Sequence, residues 1–230
     1  FYNSLSYFLA AEKRFGNHAF SLVTFGSPTE RGQQGASTEE AYWLANSHYY
    51  NPNWGYQGGE KRNARVVNDF EPTAILTWDW KKDEKWKWTN AFAFKYSNYG
   101  TTALGWNGDA YDPRPDYYKN LPSSIFDVYN PDINNPDYLA QNPYLLDQYN
   151  DLLDYWRASE ANRQINWDRM YYVNRANEAA GGEALYYQER RHNDQRMFAL
   201  NSAYNVDFGR WGKLMVGLQN NSTKGMHYKT

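Results

Sequence analysis

"WKWTNAFAFKYSN", residues 86 to 98, interleaves two kinds of side chain. Every second residue from Trp86 gives Trp86, Trp88, Asn90, Phe92, Phe94, Tyr96 and Asn98, while the other row is Lys87, Thr89, Ala91, Ala93, Lys95 and Ser97. A period of two belongs to a β-strand, whose successive side chains point to opposite faces. One face is therefore a wall of rings and the other is small and polar, and the fold must supply an environment for each.

Composition narrows that environment. Aromatic residues make up 19% of the 230, with 22 Tyr and 10 Trp, although the mean hydropathy is only −0.93. Rings stand where aliphatic core residues usually do, which excludes a disordered chain. No run of about 18 apolar residues occurs, so no transmembrane helix is expected. The absence of cysteine removes a disulfide framework and thiolate metal sites. A net charge of −2 and a pI near 6.1 give no reason to expect nucleic acid. The opening "FYNSLSYFLAAEKRFG" has no initiator Met, no basic segment leading into an apolar stretch and no cleavage site, and the end "NNSTKGMHYKT" has no recognisable closing element. The expectation is a piece of a longer protein.

The same period appears in three hairpins. In the first, residues 3 to 13 put Leu5, Tyr7, Leu9 and Ala11 on one face, "RFGN" (14 to 17) turns, and 18 to 26 returns with Phe20, Leu22 and Thr24. In the second, 67 to 80 carries Phe70, Ala74, Leu76, Trp78 and Trp80 opposite Glu71, Thr73, Thr77 and Asp79; "KKDEK" (81 to 85) turns into the opening stretch. In the third, Phe198, Leu200, Tyr204, Val206 and Phe208 oppose Ala199, Asn201, Ala203, Asn205 and Asp207, and after "GRWG" (209 to 212) come Leu214, Val216 and Leu218.

The connections between hairpins, roughly 27 to 66 and 100 to 190, are too long for a compact soluble domain. Outer-membrane β-barrels have this asymmetry, with short periplasmic turns, long extracellular loops and aromatic girdles at both interfaces. The pattern predicts an all-β fold: an antiparallel transmembrane β-barrel portion of about six strands with long extracellular loops containing short helices. Trp78, Trp88, Phe92, Phe94, Phe198 and Leu200 then face outer-membrane lipid, and Lys87, Thr89 and Lys95 a wet lumen. A soluble antiparallel sheet with one covered face has the same alternation. Within the second connection, Asn142 and Pro143 read as an N-cap and first-turn pair before Leu145, Leu146, Tyr149, Leu152, Leu153 and Trp156 at helical spacing, and Ser159 as the cap of a helix holding Ile165, Met170 and Val173.

The connections also carry a resemblance. "YYNPNWGYQGGEKRNARV" (49 to 66), "DPRPDYYKNLPS" (112 to 123) and "INWDRMYYVNR" (165 to 175) resemble the loop segments of SusC-like TonB-dependent receptors of Bacteroidota outer membranes, and "HAFSLVTFGSPTERGQ" (18 to 33) resembles the strand that precedes them. The resemblance implies a whole protein with an N-terminal plug inside a barrel of about 22 strands. It would sit in the cell outer membrane and import a nutrient of the glycan or peptide class, captured with a SusD-like surface lipoprotein and driven by the TonB complex. Residues 1–230 would be part of the barrel, with the plug and the TonB-contacting segment elsewhere.

Chemistry within the chain is sparse. Asp109, Asp112, Asp116, Asp127, Asp132 and Asp137 could supply a glycosidase pair, but most of them sit in "YDP", "RPD" and "NPD" settings, which are turn chemistry. The calcium-loop spacing is absent, and His18, His48, His192 and His227 do not pair at ligand spacing. Neither catalysis nor a cofactor is expected. The better site candidates are Trp54, Tyr56, Trp106, Tyr111, Tyr117 and Tyr118, rings that suit stacking on a ligand or anchoring a partner, together with Asp112, Arg114 and Asp116. Arg114 is expected to pair bidentately with a carboxylate, within the loop or on the lipoprotein. Two function classes follow: a transporter wall with a ligand or lipoprotein interface, or a soluble extracellular β-rich module that binds glycan.

Overall fold

The computed structural model describes residues 1–108, 110–126 and 135–230; Asp109, Asp127 and Asp132 lie outside the described residues. The protein is mostly β, with 50% strand and 24% helix. In chain order the elements are β1 (Tyr2–Ser4), β2 (Tyr7–Phe15), β3 (His18–Gly26), β4 (Thr29–Gly32), α1 (Glu39–Ala45), β5 (Trp54–Gln57), β6 (Glu60–Asn63) and β7 (Val66–Phe70). They continue through β8 (Thr73–Lys81), β9 (Trp86–Trp106), α2 (Pro136–Gln141), α3 (Tyr144–Ala158), β10 (Ile165–Asn166), α4 (Trp167–Ala179), β11 (Tyr186–Asp207) and β12 (Lys213–Lys229). The chain forms two compact units, residues 1–31, 66–102 and 190–230 on one side and 32–65 and 103–189 on the other.

The first unit is one antiparallel sheet. Its register is unbroken: Tyr2↔Arg31 continues the ladder of Tyr7↔Gly26, and Phe70↔Asn98 continues that of Thr73↔Lys95. β1 with β2, β3 with β4 and β7 with β8 are therefore halves of single long strands, which with β9, β11 and β12 make the meander the alternation predicts. The halves separate at Leu5–Ser6, at Ser27–Pro28 and at Glu71–Pro72, and a proline has no N–H to give the ladder. Both prolines still accept, Pro28 from the Leu5 amide at 3.2 Å and Pro72 from that of Tyr96 at 3.1 Å.

The three turns are tight. Gly16, at φ +55°, takes the left-handed conformation between the paired Phe15 and His18. Asp83 holds the second turn by accepting from the Lys85 and Trp86 amides at 2.8 and 3.1 Å, and Asp207 the third by accepting from Gly209 at 2.8 Å.

One face of this sheet is an apolar belt. Directly opposed residues share a face, so Leu22, Leu76 and Phe92 form one row and Thr24, Ala74 and Phe94 the next. Phe20, Leu22, Leu76, Phe92, Phe94 and Phe198 are all exposed, Phe94 by 49%. Toward the turns the belt ends in a course of rings. Centroids run Phe15 to Phe20 at 6.4 Å, Phe20 to Trp78 at 6.2 Å, Trp78 to Trp88 at 5.4 Å, Trp88 to Tyr204 at 6.4 Å and Tyr204 to Trp86 at 5.8 Å. His18 stacks into this course and accepts the Trp78 indole N–H at 3.1 Å. Beyond Phe94 the same row turns polar through Asn98 in β9 and through Arg196, Asp194 and His192 in β11. In β12 the belt is Leu214, Val216 and Leu218, followed by Asn220 and Ser222. The opposite face carries charge: Lys95 pairs with Glu71 at 2.5 Å and Lys87 with Asp79 at 3.6 Å. The sheet is not closed, since among the described residues β2 pairs only with β3 and β12 only with β11.

The second unit joins the two long connections, which the alternation alone leaves separate. β10, from the second, pairs in parallel with β5, from the first, in a three-stranded sheet completed by β6. Gly55 makes this possible, because a Cβ there would lie 1.8 Å from the Ile165 carbonyl oxygen. Both clusters of buried apolar side chains are here: Ala41, Leu44, Tyr50, Leu121 and Trp156 in one, and Ala64, Ile165, Trp167 and Met170 in the other. Helix α3 carries the expected stripe, but its caps differ from the expectation. Pro143 is the N-cap residue without a side-chain bond, and Asn142 donates instead to the Tyr138 carbonyl at 2.8 Å. Ser159 ends α3 and accepts from the Asn162 amide at 3.3 Å, while Asn166 caps α4 and Ile165 lies in a strand. The "SPTERG" run and the early part of the first connection hold two elements absent from the strand pattern, β4 and α1, the latter capped by Thr38 accepting from Ala41 at 3.2 Å.

Candidate functional site

All nine residues singled out from the sequence lie in the second unit, and five of them, Trp106, Asp112, Arg114, Asp116 and Tyr117, gather around one turn. The turn Asp112–Pro113–Arg114–Pro115–Asp116 folds back on itself, the prolines fixing their own φ and denying it any regular ladder. Asp112 accepts the Arg114 amide at 3.0 Å and then one edge of its guanidinium, Nε at 3.0 and 3.1 Å and Nη2 at 2.5 Å. This is the bidentate pair expected, made within the loop. Asp112 is 6% exposed, and its hydrogen bonds hold the Arg114 guanidinium above its already high ordinary range, against the opposing pull of burial.

Around the pair stand Trp106 and Tyr117, each with its ring centroid 5.7 Å from the guanidinium carbon. Asp116 accepts from the Ser37 hydroxyl at 2.8 Å and ties the turn to the first connection. Trp106, Arg114 and Asp116 line a cavity of about 230 Å³ with Asn53, Arg65 and Ile165. Of its charged lining, Arg114 is already paired with Asp112, while Arg65 and Asp116 carry opposite signs, so it can offer hydrogen bonds and a ring face more readily than net charge.

Of the other four candidates, Tyr118 abuts the group through Tyr117, Tyr111 borders it through Asn120, and Trp54 and Tyr56 lie on β5. Tyr118 packs edge-on against Tyr117 with centroids 4.8 Å apart and is exposed. The Tyr111 hydroxyl bonds the Asn120 side chain, and its carbonyl accepts from the Tyr186 hydroxyl at 2.8 Å. Trp54 and Tyr56 sit on β5 with centroids 5.3 Å apart, and Lys61 lies 4.6 Å over the Trp54 ring. Asp137 lies in the first turn of α2.

Buried Tyr50 links the connections. Its hydroxyl donates to the Arg163 carbonyl at 2.8 Å, and burial, reinforced by the charge of Asp116, raises its pKa well beyond the usual phenol range. It therefore stays a neutral donor.

Arg62 escaped the sequence reading. It lies in the quoted "GEKRNARV", on β6, with its guanidinium 4.0 Å from the Trp167 ring centroid. Its acceptors are all neutral: Gln57 at 2.6 Å, the Tyr171 hydroxyl at 3.0 Å and Gln188 at 2.8 Å. The Tyr171 phenol is held below its ordinary range, first by that bond from Arg62. The single cue in the sequence is an arginine between aromatic segments. Its partners come from residues 5 to 126 positions away. Among the described residues no group of three or more His, Asp or Glu side chains is gathered as a metal site. Comparison with family models, with curated proteins and with solved structures finds no match to this chain.

Proposed function

We propose that the chain is part of the wall of an outer-membrane β-barrel of the SusC-like TonB-dependent type. In this role it helps to import a nutrient of the glycan or peptide class with a SusD-like surface lipoprotein, under drive from the TonB complex, and it has no catalytic duty or cofactor of its own. The observation that carries the membrane assignment is the inverted burial. A soluble protein hides apolar side chains within its sheet layers and rarely exposes a contiguous patch of more than a few hundred Å². Here the sheet displays its apolar face, and the clustered core lies in the loop unit.

The belt has the right height. In β9 it runs from Trp86 to Phe94, close to the nine to eleven residues, roughly, with which a tilted strand crosses hydrocarbon. The course of Trp, Tyr and Phe rings along its turn-side margin suits an interfacial girdle. A soluble glycan-binding module would leave that belt in water. The lipoprotein, the TonB drive and the nutrient class rest on the resemblance of the loop segments.

The test is single-cysteine labelling of the intact protein in native membranes. Phe92→Cys, Phe94→Cys and Leu200→Cys should react with a probe dissolved in the hydrocarbon phase, and Thr89→Cys and Ala93→Cys should not. Labelling of Thr89→Cys and Ala93→Cys alone from the hydrocarbon would invert the faces, and equal reaction of all five with a water-soluble reagent would remove the sheet from the membrane.

A further inference from the structure

We infer that the Arg62 cavity is a binding site for the carboxylate group of a small organic acid. It is a space of about 160 Å³ within the second unit, walled by Trp167, Met170, Tyr171, Asn174 and Tyr186, with Arg62 on its surface and no Asp or Glu in its lining. A partly buried arginine commonly meets a carboxylate, as Arg114 meets Asp112. Arg62 meets none among the described residues: its hydrogen bonds go to two amide oxygens and a phenol.

Those bonds use three of the five guanidinium donors. Both hydrogens on Nη1 are engaged, by Gln57 and Tyr171, and one on Nη2 by Gln188. Nε–H and the second Nη2 hydrogen have no acceptor among the described residues, and a planar carboxylate satisfies two guanidinium donors at once. The flat group is fixed before any ligand arrives, stacked on Trp167 at 4.0 Å and held by Gln57 and Gln188, so little ordering entropy is lost on binding.

The field at Tyr171 is cationic: the bond from Arg62, and the charges of Arg62 and Arg175, draw its phenol downward. Tyr186, across the space, is raised instead, first by burial and then by the charge of Asp112, against the pull of Arg169, so the cationic side of the site is the Arg62 side. Both amide side chains of the lining are already occupied: Asn174 accepts from the Leu185 and Tyr186 amides at 3.0 and 2.9 Å, and Gln188 donates to the Ala64 carbonyl at 3.1 Å. The specificity left to the site is one negative group beside ring faces. A uronic acid and a peptide C-terminus are two sources of that group. The inference rests on this cavity and not on the membrane assignment.

Calorimetry on the intact protein in detergent tests it, with galacturonate against galactose and N-acetylalanine against its amide. At least one acid should bind saturably and about tenfold or more tighter than its neutral counterpart, as expected for a hydrogen-bonded charge; which acid does so identifies the source. Arg62→Gln should remove the difference. Should Arg62→Gln lose protease resistance in the loop unit, Gln188→Glu provides the second variant: it sets a carboxylate beside Nη2, keeps the shape and should abolish acid binding in a resistant protein. Equal affinity for acid and neutral probes, or full acid binding by Gln188→Glu, overturns the inference.

Discussion

Trp156 anchors the loop unit through both halves of its side chain. Its rings fill the cluster of Ala41, Leu44, Tyr50 and Leu121, leaving it 1% exposed, and its indole N–H donates to the Asn120 carbonyl at 2.8 Å. Trp156→Ala should therefore cost about 3–5 kcal/mol of unit stability, read as earlier proteolytic cutting within residues 32–65 and 103–189 while the sheet unit persists. Arg114 acts through charge instead. Arg114→Ala would strand the Asp112 carboxylate, whose side chain is 5% exposed while that of Arg114 is 50% exposed. Water reaches one partner, so the expected loss is about 1–3 kcal/mol, below that of a fully buried pair. Adding Asp112→Asn should recover part of it. Were the single variant as resistant to protease as the parent, the pair would be a solvated charge contact with no hold on the turn.

The six long strands follow from a side-chain row that changes character every second residue, and β9 makes the point. Phe92 and Ala93 differ enough in size and polarity for a strand to be assigned from the spacing alone. Beyond Asn98, "YGTTALGW" loses the alternation, so the continuation of β9 to Trp106 is not legible there and depends on pairing with distant segments. Asn90, an apparent intruder in the aromatic row, is 4% exposed. Its Oδ1 accepts from the Ser202 hydroxyl at 2.7 Å, which in turn accepts the Trp88 indole N–H at 2.8 Å. Helix α1 had its signals in "STEEAYWLANS": Thr38 as cap, Glu39 and Glu40 in the first turn, and Asn46 left-handed at the end. Seven residues are too few for an apolar stripe to announce them. In the site, the Asp112–Arg114 pair was legible because its members are two residues apart, whereas the joining of the connections at Gly55 and Ile165 and the Arg62 cavity depend on meetings far along the chain. At this scale the faces predict an asymmetry. Phe92→Lys should destabilise a membrane-embedded sheet by about 2–4 kcal/mol near mid-bilayer, and Thr89→Lys by far less. The measurement is the temperature at which the folded band is lost on a semi-native gel, and equal shifts would contradict a one-sided belt.

Across the molecule the decisive feature is the pair of free sheet edges. Among the described residues, β12 runs from Lys213 to Lys229 with one edge paired to β11, and β2 is paired only to β3. In hydrocarbon each unsatisfied backbone group costs several kcal/mol, so spanning sheets close on themselves; the proposed function therefore requires further strands against both edges. It also fixes direction, because barrels of this type keep their short turns in the periplasm and their long connections outside. Asp83, in the turn between β8 and β9, should then be internal, while Gly181, in the exposed turn after α4 at φ +84°, should be external. An epitope inserted at Gly181 should be read by antibody on intact cells, and one inserted at Asp83 only after the outer membrane is permeabilised. The left-handed conformation at Gly181 and the Asp83 hydrogen bonds to the Lys85 and Trp86 amides make the insertions unequal in cost, so each tagged protein must first give the parent's folded band. If Asp83 is read on intact cells and Gly181 is not, the sheet is inverted and the loop unit faces the periplasm, out of reach of a surface lipoprotein. If both are read on intact cells, the strands do not cross the membrane, and the apolar belt must be covered by protein instead of lipid.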